Sequence, residues 1–370
     1  MRNTRRYGAV AVFAIFALVL ASCDGIGGGG GGDDLKIGLV TDVGTIDDAN
    51  FNQFSWEGAK DGAEAIGAPE PQFVVSTASA DFAQNIQSFI DQDYDIIVTV
   101  GFALGNDTTI AAKANPEVKF IGVDQGVCVT PEGDPDATFA CEGDDAELLP
   151  NYQGLVFREA QAGYLAGIVA AAISESGHIA AIGGTAVVPA VPDYIGGFHN
   201  GALSVNPDIE VSVQYVSEAP DAAAFNDPAG GKAFAEQLLQ QESDIDVLFQ
   251  VAGKTGNGVL EAACDAGIWG IGVDVDQYQS LPSAQDCIVV SAEKKLQKAV
   301  ADAIQRVADE TDEGGTIVLD AAVDSVGLSS FHDKEDMISD ETQTAIDDAF
   351  AAMKAGDLDP CEGDGACFGE

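Results

Sequence analysis

The 370 residues are 46% hydrophobic and carry 61 acidic against 16 basic side chains, for a formal net charge of −45. A chain this negative repels phosphate groups, so polymeric nucleic acids and anionic membrane surfaces are excluded as partners. The acidic residues are spread over the whole chain, which indicates a solvated acidic surface suited to a saline or acidic habitat. The length is sufficient for two lobes that each bury a core.

The N-terminal segment has the pattern of an export signal. Three arginines within the first six residues precede an apolar run over about 9–21. This run is too short to span a bilayer but is typical of a secretory signal peptide. It ends in Leu-Ala-Ser-Cys at 20–23, which resembles a bacterial lipobox and implies cleavage before Cys23 and acylation of that cysteine. The alternative is an ordinary signal peptide whose cleavage site lies beside a cysteine.

A glycine tract over 27–32 follows and is predicted to be a flexible tether. We therefore expect 1–22 to be a lipoprotein signal peptide and 23–34 to be the acylated cysteine with its tether. A lipid on Cys23 would hold the protein at the extracytoplasmic face of the cell membrane. Loss of the three arginines of the signal would bring the charge of the mature chain to −48.

From residue 35 onwards, short runs rich in Val and Ile alternate with helical stretches such as 82–92, 159–173 and 234–241. This alternation predicts an α/β fold in which parallel sheets are covered by helices on both faces. The predicted strands are 35–40, 72–76, 95–100, 119–123, 154–157, 178–183, 210–216, 246–251, 268–273, 287–292 and 316–320.

The alternating series restarts after Gly177, so we predict two doubly wound parallel-sheet lobes with a ligand cleft between them, the architecture of type I periplasmic binding proteins. The long apolar helix 159–173 is expected to end the first lobe. Ligands of open parallel sheets bind beyond the carboxyl ends of the strands, so the loops after strands are the candidate site. The predicted boundaries are 35–177 plus about 291–312 for the first lobe, 178–290 plus about 313–358 for the second, and 359–370 for an acidic, cysteine-containing tail.

Cysteine usage agrees with an exported protein. Besides Cys23 there are six cysteines, an even number that favours disulfides in an oxidising compartment. They fall into pairs that are close in sequence: Cys128 with Cys141, Cys264 with Cys287, and Cys361 with Cys367. Six cysteines permit about fifteen connectivities, so the pairing stays open at this stage. No metal site is predicted, because CxxC spacing is absent and the chain has three histidines.

The stretch VTDVGTIDDANFNQFSWEG at 40–58 follows the first predicted strand. Asp42 leaves the strand, Gly44 permits a turn, and a helix is expected to begin near Phe51. Residues of that helix that recur at helical spacing, from Trp56 to Ile66, form its buried stripe. Phe51 lies off the centre of this stripe at the mouth of the helix. It either contacts a ligand or plugs the helix start, and its position alone favours neither interpretation.

Other strand ends carry polar or aromatic side chains. Asp124 and Asp274 each follow an IGV strand end, and Lys294 follows strand 287–292. The glycine-rich turn VAGKTGNG, which contains Gly253, offers backbone N–H groups at a helix start, but it lacks the order of a nucleotide-binding P-loop. Tyr194 and Phe198 lie early in a helix of the second lobe. One aromatic side chain from each lobe could enclose a flat ligand.

Taken in chain order, VTDVGTIDDANFNQFSWEG, FIGVDQ, EAQAGYLAG, AGKTGNGV and IGVDVDQ resemble the basic membrane protein family over roughly 36–355. Members of this family are lipoproteins that serve as substrate-binding components of nucleoside ABC transporters. The resemblance implies that a purine-type nucleoside lies between the lobes, with its base stacked between aromatic rings and its ribose held by acids and a lysine. It also implies delivery to an ABC transporter permease, without a cofactor, by a protein that we expect to be a monomer.

The resemblance assigns roles to individual residues. Phe51 resembles the stacking residue of the first lobe, and Phe198 is favoured over Tyr194 as the stacking residue of the second. The remaining implied contacts are Asp42 and Asp124 from the first lobe, with Asp274 and Lys294 at the ribose end, and Asp48 and Gly253 complete the predicted ligand-binding set. Of the adjacent Asp47 and Asp48, one is expected to meet the polar edge of the ligand and the other to cap the helix.

Two departures from the family pattern leave the preferred base open: DVGTIDDAN stands where DVGG and Lys-Ser usually precede the phenylalanine, and AGKTG stands for the commoner AGGTG. Three alternative functions are a sugar-binding protein, a sensor or adhesin with the same fold, and a nucleoside hydrolase that uses clustered aspartates to hold calcium. The aspartate spacing argues against the hydrolase. No catalytic residue is predicted, because the histidines are scattered and no GxSxG turn is present.

Overall fold

The computed structural model describes residues 34–368. Each lobe contains a six-stranded sheet with helices on both faces. The first part of the chain forms β1 Ile37–Val43, α1 Phe51–Ile66, β2 Gln72–Ser76, α2 Phe82–Ile90, β3 Ile96–Val100, α3 Gly105–Ala114, β4 Lys119–Val123, α4 Asp145–Leu148 and β5 Tyr152–Phe157. Short 3-10 turns at Ser79–Asp81 and Phe102–Leu104 precede α2 and α3.

The second part continues the alternation. It forms α5 Glu159–Ile173, β6 His178–Gly183, α6 Ala190–Val205, β7 Glu210–Tyr215, α7 Ala222–Phe225, α8 Pro228–Gln241, β8 Val247–Val251, α9 Gly253–Ala266, β9 Trp269–Asp274, α10 Gln277–Ser280 and β10 Ile288–Lys294. The chain then forms α11 Leu296–Ala308, β11 Gly315–Leu319, β12 Val326–Leu328, a 3-10 turn at His332–Met337 and α12 Asp340–Ala355.

The two sheets have the strand orders β11-β5-β4-β3-β1-β2 and β12-β10-β9-β8-β6-β7. All neighbouring strands are parallel except β12, which runs antiparallel to β10. The central strands β3 and β8 are buried along their whole length, as expected for strands that helices cover on both faces. The predicted fold of two parallel-sheet α/β lobes is confirmed.

The predicted lobe boundaries are wrong at two places. Helix α5, predicted to end the first lobe, packs on α6 of the second. The helices approach so closely that a Cβ on Gly167 would lie 2.0 Å from the carbonyl oxygen of Phe198, and one on Gly201 would lie 1.9 Å from that of Tyr164. Glycines on both helices make this close contact possible. The spacing of apolar residues in α5 shows that the helix is buried, but it does not show which lobe the helix packs against.

The second correction concerns the return to the first lobe, which was predicted over about 291–312. Strand β10 up to Lys294 belongs to the second sheet, whereas β11 pairs with β5 of the first sheet, with Ile317 opposite Leu155. The chain therefore changes lobe near residues 158, 295 and 321. Which sheet a short strand joins depends on tertiary pairing, and its local sequence does not reveal this.

Three disulfides join the cysteines that are close in sequence: Cys128–Cys141, Cys264–Cys287 and Cys361–Cys367. The last of them closes the C-terminal tail, which lies on α6. The amide nitrogen of Asn200 donates to the carbonyl of Pro360 at 2.9 Å, and its oxygen accepts from the N–H of Gly365 at 2.7 Å. The proposed acylation of Cys23 and the glycine tether lie outside the described residues. Within residues 34–368, no helix has both the length and the apolar character to cross a membrane.

Candidate ligand-binding cleft

A cleft lies between the lobes at the carboxyl ends of the parallel strands, where ligands of such sheets bind. Its free space, including the open mouth, is about 820 Å³. Every predicted contact residue except Phe198 lines it. From the first lobe these are Asp42, Asp48, Phe51 and Asp124, and from the second Tyr194, Gly253, Asp274 and Lys294.

Asp42 is held at the floor of the cleft by a close backbone approach. Gly101 faces it with a φ of +109°, and a Cβ at that position would lie 2.2 Å from the Asp42 carboxylate. Burial, together with the nearby Asp48 carboxylate, raises the pKa of Asp42 to about 7, while a hydrogen bond with Asn52 opposes the rise. Among residues 34–368, Asn52 Oδ1 has no hydrogen-bond partner although it is buried. Asp42 and Asn52 together therefore present polar atoms to a ligand.

Asp48 precedes α1 and caps its first turn. Its carboxylate accepts the backbone N–H groups of Asn50, Asn52 and Gln53 at 2.9 to 3.0 Å. Burial raises the pKa of Asp48, and these hydrogen bonds oppose the rise. Of the two adjacent acids, Asp48 is thus the helix-capping residue and Asp47 is exposed. The site role of Asp48 is to fix the helix that starts with Phe51.

A buried charge cluster forms the opposite wall. The Lys294 ammonium lies 2.5 Å from Asp124, 3.1 Å from Glu159 and 3.6 Å from Asp274. Burial raises the pKa of Glu159 to about 8 and that of Asp274 to about 6, and in both cases Lys294 opposes the rise. Burial acts to lower the pKa of Lys294, but the three carboxylates outweigh it and raise that pKa. Lys294 therefore stays protonated, and its positive charge is shared as an ion-pair partner by the three surrounding carboxylates.

The acids that follow the two IGV strand ends have the same unusual backbone. Asp124 after β4 has a φ of +55°, and Asp274 at the end of β9 has a φ of +65°. Non-glycine residues in this region carry backbone strain that often marks functional sites. Within the described part of the chain, Asp124 Oδ1 is buried without a hydrogen-bond partner. Its second oxygen binds Lys294, so the free oxygen is available to a ligand hydroxyl.

The aromatic prediction for the second lobe is partly wrong. Phe198 is 0% exposed and stacks on Phe249 with ring centroids 4.8 Å apart, so it belongs to the core. Tyr194 reaches the cleft wall, but its hydroxyl donates to the Ala292 carbonyl at 3.3 Å and to Asp274 at 3.5 Å. The half-buried Phe225 at the end of α7 also lines the cleft and was missed. It follows β7, so the rule that sites follow strand ends could have identified it.

Glu159 was also missed as part of the charge cluster, although it begins the EAQAGYLAG helix. Asn52 was also missed, although it directly follows Phe51 in the first turn of α1. Lys254, next to Gly253 at the start of α9, adds a second cation to the cleft wall. His178 lies at the opposite end of its strand, where its Nε2 is 3.0 Å from Ser212 Oγ. No set of His, Cys, Asp and Glu side chains in residues 34–368 is placed to hold a metal ion.

Comparison with known proteins identifies the class of this fold and cleft. Residues 36–352 match the Bmp family, described as ABC transporter substrate-binding protein PnrA-like. The ABC transporter nucleoside-binding protein BmpA of Lactococcus lactis subsp. cremoris is 30% identical over 336 residues, which cover 85% of this chain and 88% of the relative. Basic membrane protein A of Borreliella burgdorferi is 28% identical, and the alignment covers 90% of this chain and 88% of that protein.

A solved ABC transporter solute-binding protein from Aeropyrum pernix K1 has the same fold, with a TM-score of 0.73 at 23% identity over 88% of this chain and 92% of its own. Fold and cleft thus define a two-lobed solute-binding protein. The chain belongs to the Bmp family of extracytoplasmic ABC transporter substrate-binding proteins. This family consists of binding proteins and not of enzymes, so the predicted class is confirmed and the hydrolase alternative is removed.

Proposed function

We propose that the protein captures a purine-type nucleoside between its lobes and delivers it to the permease of an ABC transporter. The observation that carries the proposal is the pairing of cleft aromatics from both lobes with a buried polar cluster. Phe51 faces the cleft from the first lobe and Phe225 from the second, while the Lys294 ammonium is 5.4 Å from the centre of the Phe51 ring. The nucleoside-binding name of the Lactococcus relative supports the same ligand class.

The two parts of a nucleoside fit different walls of the cleft. The base stacks on Phe51 against Phe225, and the Asp42 carboxyl and Asn52 amide receive its polar edge. The ribose hydroxyls donate to the free oxygen of Asp124 and to Asp274, with Lys294 holding both acids in place. Phe225 replaces Phe198 as the proposed second stacking residue, because Phe198 is enclosed in the core.

The proposed place of action is the outer face of the cell membrane. Cleavage before Cys23 and acylation of that cysteine would anchor the protein, and the glycine tract would let the lobes reach the permease. Mass spectrometry of protein from membranes should find a diacylated or triacylated N-terminal Cys23, and a Cys23→Ala variant should be released from the membrane.

A thermal-shift panel of nucleosides, free bases and sugars tests the ligand class. A nucleoside present at about 100 times its dissociation constant should stabilise the folded state by about 2.7 kcal/mol. Purine nucleosides should give the largest shifts. Sugars serve as the control, because solute-binding proteins of the same fold bind them as well. A shift with a sugar and none with any nucleoside would contradict the proposal.

A further inference from the structure

The loop before Phe51 is held by two side chains of the opposite lobe. The amide nitrogen of Asn257 on α9 donates to the main-chain carbonyl of Asp48 at 3.2 Å, and the hydroxyl of Ser280 donates to the carbonyl of Ala49 at 2.7 Å. Ala49 has a left-handed backbone with a φ of +57°. A non-glycine residue in this conformation carries backbone strain, so contacts from the surrounding structure must hold it in place. Here one such contact comes from the other lobe.

Asn257 is oriented by a chain of buried amides in the second lobe. Gln277, which is 0% exposed, donates to Asn257 Oδ1 at 2.9 Å, and its own oxygen accepts from the Gln250 side chain at 2.5 Å and from the Val273 N–H at 2.9 Å. Because Gln277 occupies the oxygen of Asn257, the amide nitrogen is directed towards the first lobe. The orientation is therefore set by the sheet ends β8 and β9 and not by the loop that it contacts.

Asp48 connects this contact to the aromatic platform. Its carbonyl accepts the bond from Asn257, while its carboxylate accepts the first N–H groups of α1. Any shift of the Asp48–Ala49 peptide therefore moves the start of the helix that carries Phe51. The bonds from the second lobe to residues 48–49 therefore also fix the position of the Phe51 ring.

We propose that Asn257 and Ser280 are positioning residues that hold Phe51 in place across the closed cleft and thereby slow release of the ligand. This inference rests on the proposed nucleoside-binding function. Their bonds join opposite lobes, so they exist only while the lobes are together. Their loss should speed dissociation with little effect on association, because the encounter precedes closure.

The experiment measures binding kinetics of adenosine, guanosine and inosine by stopped-flow for wild type, Ser280→Ala and Asn257→Asp. The aspartate keeps an acceptor for Gln277 but removes the donor to Asp48. We expect each variant to release the nucleoside about tenfold faster, in line with the loss of one buried hydrogen bond, with the association rate within about twofold of wild type. Ser280→Thr keeps the hydroxyl and should restore slow release.

Ser283→Ala is the matched control, because the Ser283 hydroxyl bonds Glu261 within the second lobe at 2.8 Å, and it should behave as wild type. Amide hydrogen exchange without ligand gives a second reading, because the lobes also come together transiently in the free protein and the two bonds form whenever they do. The N–H groups of Asn50, Asn52 and Gln53 should exchange faster in Ser280→Ala and Asn257→Asp than in wild type. If wild type binds none of the nucleosides, the proposed function has failed, and exchange alone decides this inference. Unchanged exchange, or unchanged release of a bound nucleoside, overturns it.

Discussion

At the scale of single residues, three phenylalanines differ in role: Phe51 and Phe225 are proposed to contact the ligand, and Phe198 packs in the core. The first two rings line the cleft, whereas Phe198 is fully buried against Phe249. A stacked base contributes about 1–3 kcal/mol, and truncation of a buried phenylalanine costs about 3–5 kcal/mol of stability. The two kinds of residue should therefore respond differently to truncation.

Phe51→Ala and Phe225→Ala should each weaken nucleoside binding about tenfold or more and leave the melting temperature of the free protein nearly unchanged. Phe198→Ala should lower the melting temperature strongly. Titration calorimetry and thermal unfolding measure the two effects on the same samples. An unchanged affinity in Phe51→Ala would identify Phe51 as a hydrophobic plug of the helix start.

Asp42 gives a prediction for pH. Its pKa in the folded protein is about 7 against an ordinary value of 3.8, so the folded state binds the proton more strongly than the unfolded state does. A group of this kind loses stabilisation as the pH rises from about 4 to 7. Asp42→Asn should therefore become more stable relative to wild type over this range, by roughly 4 kcal/mol at most.

Denaturant unfolding of both proteins at several pH values between 4 and 8, without ligand, measures this difference. Asp47→Asn is the control, because Asp47 is exposed in the same loop and a hydrogen bond with Thr45 lowers its pKa, so it does not share the pH dependence expected of Asp42. A constant difference between Asp42→Asn and wild type across the range would show that Asp42 titrates normally.

At the scale of elements, α5 and α6 cross in close contact beside the site, and α6 carries Tyr194 to the cleft wall. Gly167→Ala places a methyl group 2.0 Å from a backbone oxygen, so the helices must separate. We expect a loss of about 1–3 kcal/mol in the free energy of unfolding. Gly105→Ala is the control, because its nearest neighbour would be 3.9 Å away. Equal stability of the two variants in urea would contradict the close packing.

At the scale of the molecule, we propose that the three passages of the chain between the lobes form a hinge around which the cleft opens. We expect a nucleoside to close the lobes, which small-angle scattering would record as a smaller radius of gyration. A sugar that does not bind is the control. Identical profiles with and without a bound nucleoside would show that binding needs no closure.

The net charge of −45 makes the whole fold sensitive to salt. Self-repulsion destabilises a compact state, and the screening length falls from about 30 Å at 0.01 M to about 3 Å at 1 M salt. The melting temperature should therefore rise by several degrees between these concentrations of NaCl. Sucrose is the control, since it favours compact states without screening charge. A rise of equal size in sucrose at 0.01 M salt would remove the electrostatic explanation.

The sequence by itself determined the two α/β lobes, the location of the cleft after the strands, and the family. These properties depend on local periodicity and on motifs that follow one another along the chain. It also named Asp42, Asp124, Asp274 and Lys294, because strand ends of a parallel sheet converge at one edge, and it named Phe51 through the family resemblance.

Only the tertiary structure decided the lobe to which α5 and β11 belong, the burial of Phe198, the cleft position of Phe225, and the capping role of Asp48. Except for Asp48, whose capping bonds are local, the deciding contact joins residues far apart in sequence, such as Phe198 with Phe249 or Ile317 with Leu155. Burial of a ring or pairing of a strand depends on which surface lies opposite. Local patterns carry no record of that surface, so the sequence could not assign these roles.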